Sequence, residues 1–297
     1  MEPRTTEPFG ALLVDKPAGP TSHDVVQRVR RAYRTRAVGH TGTLDPFATG
    51  LLVVLLGRAT RLARFVEAEA KTYLATARLG VATTTDDVEG EPLGEPLDAA
   101  VLAARVDETS LRAALAEFRG PQRQRPPRFS AKRVGGERSH RLARRGEVVE
   151  LAETAVTVHD IELVAWAPPF ATFRTTVSAG TYVRALARDL GERLGTGAHL
   201  TALRREAIGP LRVEAAVPLE ALGPAVPPRP PREVLAGLRT VELDAAGRLA
   251  VAHGRPVRDP SGPPEGELVA LVHAGRLAAV AASGDGWLRP TVVLEQP

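Results

Sequence analysis

The chain has 297 residues, of which 43% are hydrophobic and none is cysteine. A sizeable core is therefore possible, while disulfides, thiolate catalysis and cysteine-ligated zinc are excluded. The net charge is +4, and nearly all basic residues are arginine, a side chain that pairs with phosphate through two hydrogen bonds.

The first 80 residues predict strands alternating with helices. Their apolar patterning and turn residues indicate an initial strand, a helix that Thr21 or Ser22 caps, a helix over 58–68 and a strand over 71–80. The continuous apolar run 51–56, LLVVLL, is either a buried strand or the end of a helix that begins at Pro46. Periodicity leaves both possibilities open.

A polar, turn-rich loop is predicted over 83–92. Its Asp86, Asp87 and Glu89 are able to hold a cation, but a solvated polar turn is the better interpretation. No stretch of the chain is long enough to span a bilayer, and the N-terminal apolar run is too short for a signal peptide. We therefore expect a cytoplasmic protein.

The segment 119–145 is strongly basic. It contains ten Arg or Lys residues against one acid, Glu137, where a solvated surface would mix the two signs. This excess predicts an extended loop, followed by a short helix over 139–146, that contacts a polyanion such as a nucleic acid backbone. A merely solvated basic surface is the alternative.

The remaining elements follow in chain order. A helix is predicted over 108–118, strands over 148–164 and 171–178, and a helix after Gly180-Thr181. The proline-rich segment 222–234 is the best linker candidate. We therefore predict a larger domain, 1–230, with an insertion over about 119–146, and a small β-domain, 237–297.

Asp45 is the most unusual acid of the chain. It lies in GHTGTLDPFATG, 39–50, with no second acid and no metal-ligand cluster beside it. From the local sequence, Asp45 as an N-cap before Pro46 is the favoured interpretation. A phosphotransferase site is disfavoured, because Phe47 stands where the second acid is needed.

Five segments together resemble the TruB family of pseudouridine synthases. They run in family order and read VDKPAGPTSHDVV, GHTGTLDPFATGLLVVLLGRATR, KTYLATARLG with TTTDDVEG, PPRFSAKRVGGERSHRLARRG, and AGTYVRALARDLGERLGTGAHLTALRR. Phe129 departs from the pattern, which has a tyrosine there. The C-terminal portion resembles a PUA-type RNA-binding domain in pattern only.

The resemblance implies an α+β fold with a large mixed, mainly antiparallel central sheet flanked by helices, plus a small β-rich PUA-like domain. It implies isomerisation of uridine to pseudouridine in the T arm of tRNA, at position 55, on a flipped-out nucleotide. The uracil leaves ribose at N1 and is rejoined through C5. This chemistry needs no cofactor or metal, and we expect a monomer with tRNA as partner, no obligate protein partner and no membrane.

The resemblance also implies roles for individual residues. Asp45 is the catalytic carboxylate, Arg184 is the cation that keeps it ionised, and Tyr73 lies against the base and relays a proton. The residues expected to bind substrate are His40, where flipped nucleotides leave the RNA, Tyr182, Leu203 in the base pocket, and the basic Lys16, Arg128, Lys132 and Arg141.

Two other functions stay open from the sequence. The first is a non-catalytic RNA-binding protein of the same fold, in which Asp45 is only a helix cap. The second is a hydrolase or phosphotransferase that uses Asp45. A pure RNA-binding protein needs none of Asp45, Tyr73 and Arg184, and the absence of a second acid opposes the hydrolase.

Overall fold

The computed structural model describes residues 8–129, 133–134, 137–138, 145, 151–259, 261–262 and 264–295. The strands are β1 (Gly10–Lys16), β2 (Val38–His40), β3 (Thr49–Leu56), β4 (Lys71–Leu79), β5 (Gly120–Gln124), β6 (Arg133–Val134), β7 (Glu137–Arg138), β8 (Thr154–Ala167), β9 (Phe170–Val177), β10 (Ala198–Ile208), β11 (Leu211–Arg212), β12 (Val217–Pro218), β13 (Arg239–Glu242), β14 (Val257–Arg258), β15 (Leu268–His273), β16 (Arg276–Gly284) and β17 (Trp287–Val293). The α-helices are α1 (Ser22–Tyr33), α2 (Ala63–Ala68), α3 (Ala99–Arg105), α4 (Glu108–Ala116), α5 (Val183–Arg193) and α6 (Ala245–Ala252). Short 3₁₀ helices cover Gly57–Leu62, Val213–Ala215, Leu219–Ala221 and Pro231–Leu235.

The larger sheet has ten strands in the order β12-β1-β3-β10-β4-β9-β8-β5, with β2 on β3 and β11 on β10. β1 runs parallel to β12, and β3 runs parallel to β10. The pairings from β10 through β4, β9 and β8 to β5 are antiparallel. A second sheet has the order β13-β15-β16-β17-β14. The predicted α+β class, with a mixed, mainly antiparallel sheet and a separate β-rich C-terminal sheet, is confirmed.

The apolar run 51–56, which the sequence left as either a strand or a helix end, is part of strand β3. Every side chain over 51–56 is fully buried, so the run shows no alternation. β4, by contrast, buries every second residue from Lys71 to Leu79. Residues 41–48 form an irregular connection between β2 and β3, so no helix begins at Pro46. The interpretation of Asp45 as a helix N-cap is therefore wrong.

The predicted start of α1 is confirmed. Thr21 is the N-cap, and its hydroxyl accepts a hydrogen bond from the amide of Asp24 at 3.1 Å. The Asp24 carboxylate accepts in return from the Thr21 amide at 2.9 Å. This reciprocal capping box satisfies two amides that the first helical turn leaves without partners.

Two predictions for coil segments are corrected. Residues Gly120–Gln124 form a strand, because an edge strand tolerates Pro121 while its other residues pair with β8. The proline-rich segment is packed and not an unstructured coil: the Tyr33 hydroxyl donates to the Val226 carbonyl at 2.7 Å, Val234 is 2% exposed, and Pro231–Leu235 form a 3₁₀ helix. Its role as a linker between the two predicted domains stays a prediction. The predicted helix over 139–146 lies outside the described residues, apart from residue 145.

Two compact units divide the chain. The first comprises Met1–Asp45, Leu51–Ala68 and Gly209–Pro297, and the second comprises Pro46–Gly50 and Glu69–Ile208. The first contains α1 and the second sheet, whose core includes Val251, Val269 and Leu271. The second contains α5 packed on β10. The division into domains 1–230 and 237–297 stays a prediction.

Gly50 allows β3 to approach β10 closely. Its φ is +99°, and a Cβ there would clash with the carbonyl oxygen of Arg205 and lie 2.8 Å from its amide nitrogen. Gly94 has nearly the same φ, +98°, with nothing within 4 Å of an added Cβ. We expect Gly94→Ala to cost about 1 to 2 kcal/mol of unfolding free energy, from backbone strain alone. Gly50→Ala should cost at least about 2 kcal/mol more, because it also separates the two strands.

Urea denaturation of both variants measures this difference. Equal losses for the two glycines would contradict the clash with Arg205. Gly50, the second residue of β3, thereby has a packing role that is independent of any ligand.

Candidate functional site

Ser22 holds the backbone immediately before Asp45. Its hydroxyl, on the first residue of α1, accepts from the Leu44 amide at 2.8 Å and donates to the Leu44 carbonyl at 3.1 Å. Ser22 is 2% exposed, whereas Asp45 is only half-buried. The irregular segment that carries Asp45 is therefore fixed at its preceding residue. Sequence reasoning considered Ser22 only as a helix cap, a role that Thr21 fills.

His40 and Lys16, which are predicted to bind substrate, also belong to the first unit. His40 ends β2 opposite Val54, and the amide of Thr41 donates to the Val53 carbonyl at 3.0 Å. Lys16 is fully buried, and its ammonium donates to the carbonyls of Pro17 and Pro20 at 2.9 and 2.8 Å. These contacts organise the turn before α1. A substrate contact of Lys16 stays a prediction.

Arg184, in the first turn of α5, is buried and ion-paired in the second unit. Its Nη1 lies 3.1 Å from Asp87 Oδ2, and the two side chains are 5% and 3% exposed. Nη1 also donates to the Thr85 carbonyl at 3.0 Å, and Nη2 donates to the Phe129 carbonyl at 3.0 Å. The guanidinium is thereby held in one orientation by contacts from two different loops.

The prediction that Asp87 belongs to a solvated turn is wrong. Its Oδ1 accepts from the Thr85 hydroxyl at 2.5 Å and from the Glu89 amide at 3.0 Å, while Oδ2 faces Arg184. A buried carboxylate is tolerated only when it is paired and hydrogen-bonded, which is the case here. Local sequence could not identify Asp87, because its partner lies almost one hundred residues further along the chain. Among the described residues, no cluster of His, Asp and Glu fits a metal ion.

Tyr73 and Leu203 are brought together on one face of the larger sheet. Tyr73 on β4 pairs with Arg205 on β10, and Ala75 pairs with Leu203. Successive residues of a strand alternate between faces, so Tyr73 and Leu203 are diagonal neighbours within about 7–8 Å. They are 7% and 8% exposed. An aromatic and an aliphatic side chain thus lie next to each other on this face of the sheet.

The described start of the basic segment is attached to the beginning of α5. The Gln124 side-chain amide accepts from the Tyr182 amide at 2.8 Å and donates to the Tyr182 carbonyl at 3.1 Å. Arg188 donates to the Arg125 carbonyl at 2.9 Å, and Arg184 donates to the Phe129 carbonyl. The contact at 129 uses the main chain, so it does not depend on phenylalanine in place of tyrosine.

Gln124, which is 2% exposed, was missed by sequence reasoning. A lone glutamine carries no pattern, and only its partner across the fold shows its role. Arg128 is exposed at the surface of this segment. Lys132 and Arg141 lie outside the described residues.

Asp86 has a strongly perturbed carboxyl. Burial raises its pKa from 3.8 to about 6, an effect that the neighbouring Arg188 and Arg184 partly offset. Its Oδ2 lies 3.1 Å from Arg188 Nη1. Burial raises the pKa of Asp189, the other carboxyl paired with Arg188, in the same direction.

We expect Asp86 to lower stability as the pH rises. Its folded-state pKa exceeds its unfolded value, so between about pH 4 and 6 the folded state binds more protons than the unfolded state. The free energy of unfolding therefore falls through this window by about 2 to 3 kcal/mol from this group. In Asp86→Asn that decline should disappear, since asparagine also tolerates the local φ of +61°.

Urea unfolding from pH 4 to 7 measures the effect. The control is Asp285→Asn, whose side chain is 82% exposed and whose φ is +54°. If the free energy of unfolding of Asp86→Asn fell as steeply between pH 4 and 6 as that of the control, the burial of this carboxyl would be contradicted.

In the described part of the chain, no helix is long and apolar enough to cross a membrane.

Two family models match consecutive parts of the chain. The N-terminal domain of the TruB family pseudouridylate synthases matches residues 30–183, and the C-terminal domain of tRNA pseudouridylate synthase B matches residues 184–228. The tRNA pseudouridine synthase B of Thermobifida fusca is 45% identical over 294 residues, which cover 96% of this chain and 98% of that protein. The protein of the same name from a Synechococcus strain is 42% identical, with 98% and 99% covered.

Solved structures show the same fold. A chain of a Cbf5-Nop10-Gar1 complex has a TM-score of 0.74 at 27% identity, covering 97% of this chain and 84% of that one. A chain of an H/ACA RNP bound to a substrate RNA containing 2'-deoxyuridine has a TM-score of 0.71 at 25% identity, with the same shares covered. The matches extend over nearly the whole length of the chain, which therefore belongs to the TruB family of pseudouridylate synthases, enzymes that isomerise uridine to pseudouridine.

Proposed function

We propose that this pseudouridylate synthase modifies the T-arm uridine at conventional position 55 of tRNA, with Asp45 as the catalytic carboxylate. The relatives named tRNA pseudouridine synthase B, which match over nearly the full chain, support tRNA as the substrate. The observation that supports Asp45 most directly is its position: it caps no helix and follows a backbone that Ser22 clamps.

The reaction needs an ionised carboxylate at the sugar. An ordinary aspartate has a pKa of about 3.9, and a nearby cation preserves the negative charge of a carboxylate that is partly removed from water. We assign that role to Arg184. A guanidinium has five N–H donors, so its contacts with Asp87, Thr85 and Phe129 do not prevent it from also serving Asp45.

The chemistry then divides between sugar and base. The C1'–N1 bond breaks with assistance from Asp45, either by attack on C1' or by removal of a sugar proton to give a glycal. The uracil rotates, C5 bonds to C1', and the C5 proton is lost while N1 gains one. Tyr73, next to Leu203, offers a flat apolar surface for the base and a phenol that relays the proton.

The target uridine must leave the RNA stack, which costs a few kcal/mol. Phosphate contacts of the basic segment, including Arg128, Lys132 and Arg141, offset this cost. The contacts of Gln124 with Tyr182 and of Arg188 with Arg125 attach the start of that segment to α5. They support a role in which RNA is held in register with the helix that carries Arg184. His40 and Tyr182 complete the proposed contacts with the flipped nucleotides.

The deciding experiment incubates the purified protein with an unmodified tRNA transcript and maps pseudouridine by position. We expect one pseudouridine at position 55, and none in a transcript with cytidine at that position. Modification at another position would overturn the T-arm assignment. Tight binding without any conversion would favour the non-catalytic RNA-binding alternative.

A further inference from the structure

A large basic cavity lies within the first unit, apart from the residues assigned to catalysis. Its volume is about 980 Å³, and its walls come from the residues just before β1, the 3₁₀ helix after β3, the proline-rich segment, α6 and the second sheet with the residues that follow it. Four arginines line it, Arg58, Arg232, Arg248 and Arg276, against one acid, Glu295. Such an excess of positive charge around a concave surface attracts anions.

Two of these arginines have defined structural partners. Arg248 pairs with Glu295 at 3.4 Å, and Arg58 donates to the Leu294 carbonyl at 3.0 Å. Arg232 and Arg276 are exposed, and neither has an acidic partner among the residues that the structure describes. The cavity therefore combines two anchored guanidiniums with two that are available to a ligand.

The apolar part of the lining suits a nucleic acid. Phe9 is 39% exposed and lines the cavity, where the half-buried Pro228 and the exposed Pro230 add apolar surface. Nucleic acid binding that does not read the sequence depends on arginines that pair with the phosphates, and an aromatic side chain such as Phe9 offers a face for a ribose or a base. An inorganic anion would use the arginines and leave these apolar groups without a role.

The cavity is remote from Asp45. β2 and β3 form a hairpin in which Val38 pairs with Leu56 at one end, while the loop with Asp45 closes the other. Arg58 follows Leu56 by two residues and so lies at the end of the hairpin opposite the loop with Asp45. The eight residues of β3 span roughly 25 Å at about 3.3 Å per residue. A ligand in the cavity is thus not the reacting uridine.

We propose that this cavity binds the phosphate backbone of the substrate RNA at a point several base pairs away from the reacting uridine. The inference rests on the proposed tRNA substrate for the identity of the RNA. It assigns Arg232 and Arg276 to binding and gives them no part in the chemistry.

The test compares wild type with Arg232→Gln/Arg276→Gln in binding a full-length unmodified tRNA transcript at several salt concentrations. The slope of log affinity against log salt is negative, and each lost phosphate contact should make it shallower by about 0.7 to 0.9. The double variant should therefore show a slope shallower than that of wild type by about 1.4 to 1.8. Its affinity at low salt should fall roughly five- to tenfold. Arg105→Gln, which removes an exposed arginine at the end of α3, is the control with an unchanged slope.

Single-turnover conversion at saturating enzyme distinguishes this site from the proposed function. We expect the double variant to convert bound tRNA at the wild-type rate and to melt at the wild-type temperature. A wild-type affinity and slope in the double variant would overturn the site, and an acidic protein partner would then be the better occupant. Wild type that binds with the expected slope but converts no tRNA would overturn the proposed function and leave the site standing.

Discussion

Asp45→Asn should abolish pseudouridine formation while leaving tRNA affinity within a few-fold of wild type. The amide has nearly the shape of the carboxylate, so the segment that Ser22 clamps keeps its backbone. It has neither the negative charge nor the basicity to act at the ribose. General base or nucleophilic assistance contributes about 10²- to 10⁴-fold, so we expect a rate loss of at least about 10³-fold.

Single-turnover conversion of a T-arm stem-loop measures the loss, and an equilibrium binding assay measures affinity separately. Asp285→Asn makes the same chemical change at an exposed turn of the C-terminal sheet and should retain full activity. Substantial turnover by Asp45→Asn would remove Asp45 from the mechanism. A loss of affinity as large as the loss of rate would make it a binding residue.

Asp87→Asn should destabilise the protein by about 3 to 5 kcal/mol and also impair catalysis. The substitution leaves Arg184, which is 5% exposed, as a buried charge without its carboxylate. For a chain of this size the melting temperature should fall by on the order of 10 °C. Conversion of bound tRNA should fall as well, because the guanidinium proposed to serve Asp45 loses the contact that orients it.

A double substitution separates the two effects. Replacing a buried ion pair by apolar residues of similar volume is often neutral or stabilising, so Asp87→Leu/Arg184→Met should recover much of the stability. It should recover no activity, since the proposed partner of Asp45 is absent. An active double variant would show that Arg184 is not needed for the chemistry. A single variant as stable as wild type would show that the Asp87 pair is not desolvated.

The elements whose signals are local were predicted well. The cap at the start of α1, the alternation of β4 and the apolar stripe of α5 each depend on residues within a few positions of one another. The run 51–56 could not be assigned, since a strand buried on both faces has no alternation to detect. The strand Gly120–Gln124 was missed because its proline suggested coil, and only its edge position makes that proline acceptable.

Some residues of the candidate site could likewise be predicted from the sequence, whereas others could not. Motif order along the chain was enough to identify the family and to nominate Asp45, Tyr73 and Arg184. Asp87, Gln124 and Ser22 were not nominated as site residues, and all three are buried polar side chains. A buried polar group needs a partner, but the partner is set by the fold and lies 22 to 97 positions away in these cases.

The sequence by itself therefore determined the family, most of the strands and helices and the basic character of the segment 119–145, because these follow from residue types at short spacing. Only the tertiary structure decided that Asp45 caps no helix, that Asp87 is the buried partner of Arg184, and that four distant arginines line one cavity. Those facts depend on which surfaces pack together. Packing brings together residues whose separation along the chain carries no pattern.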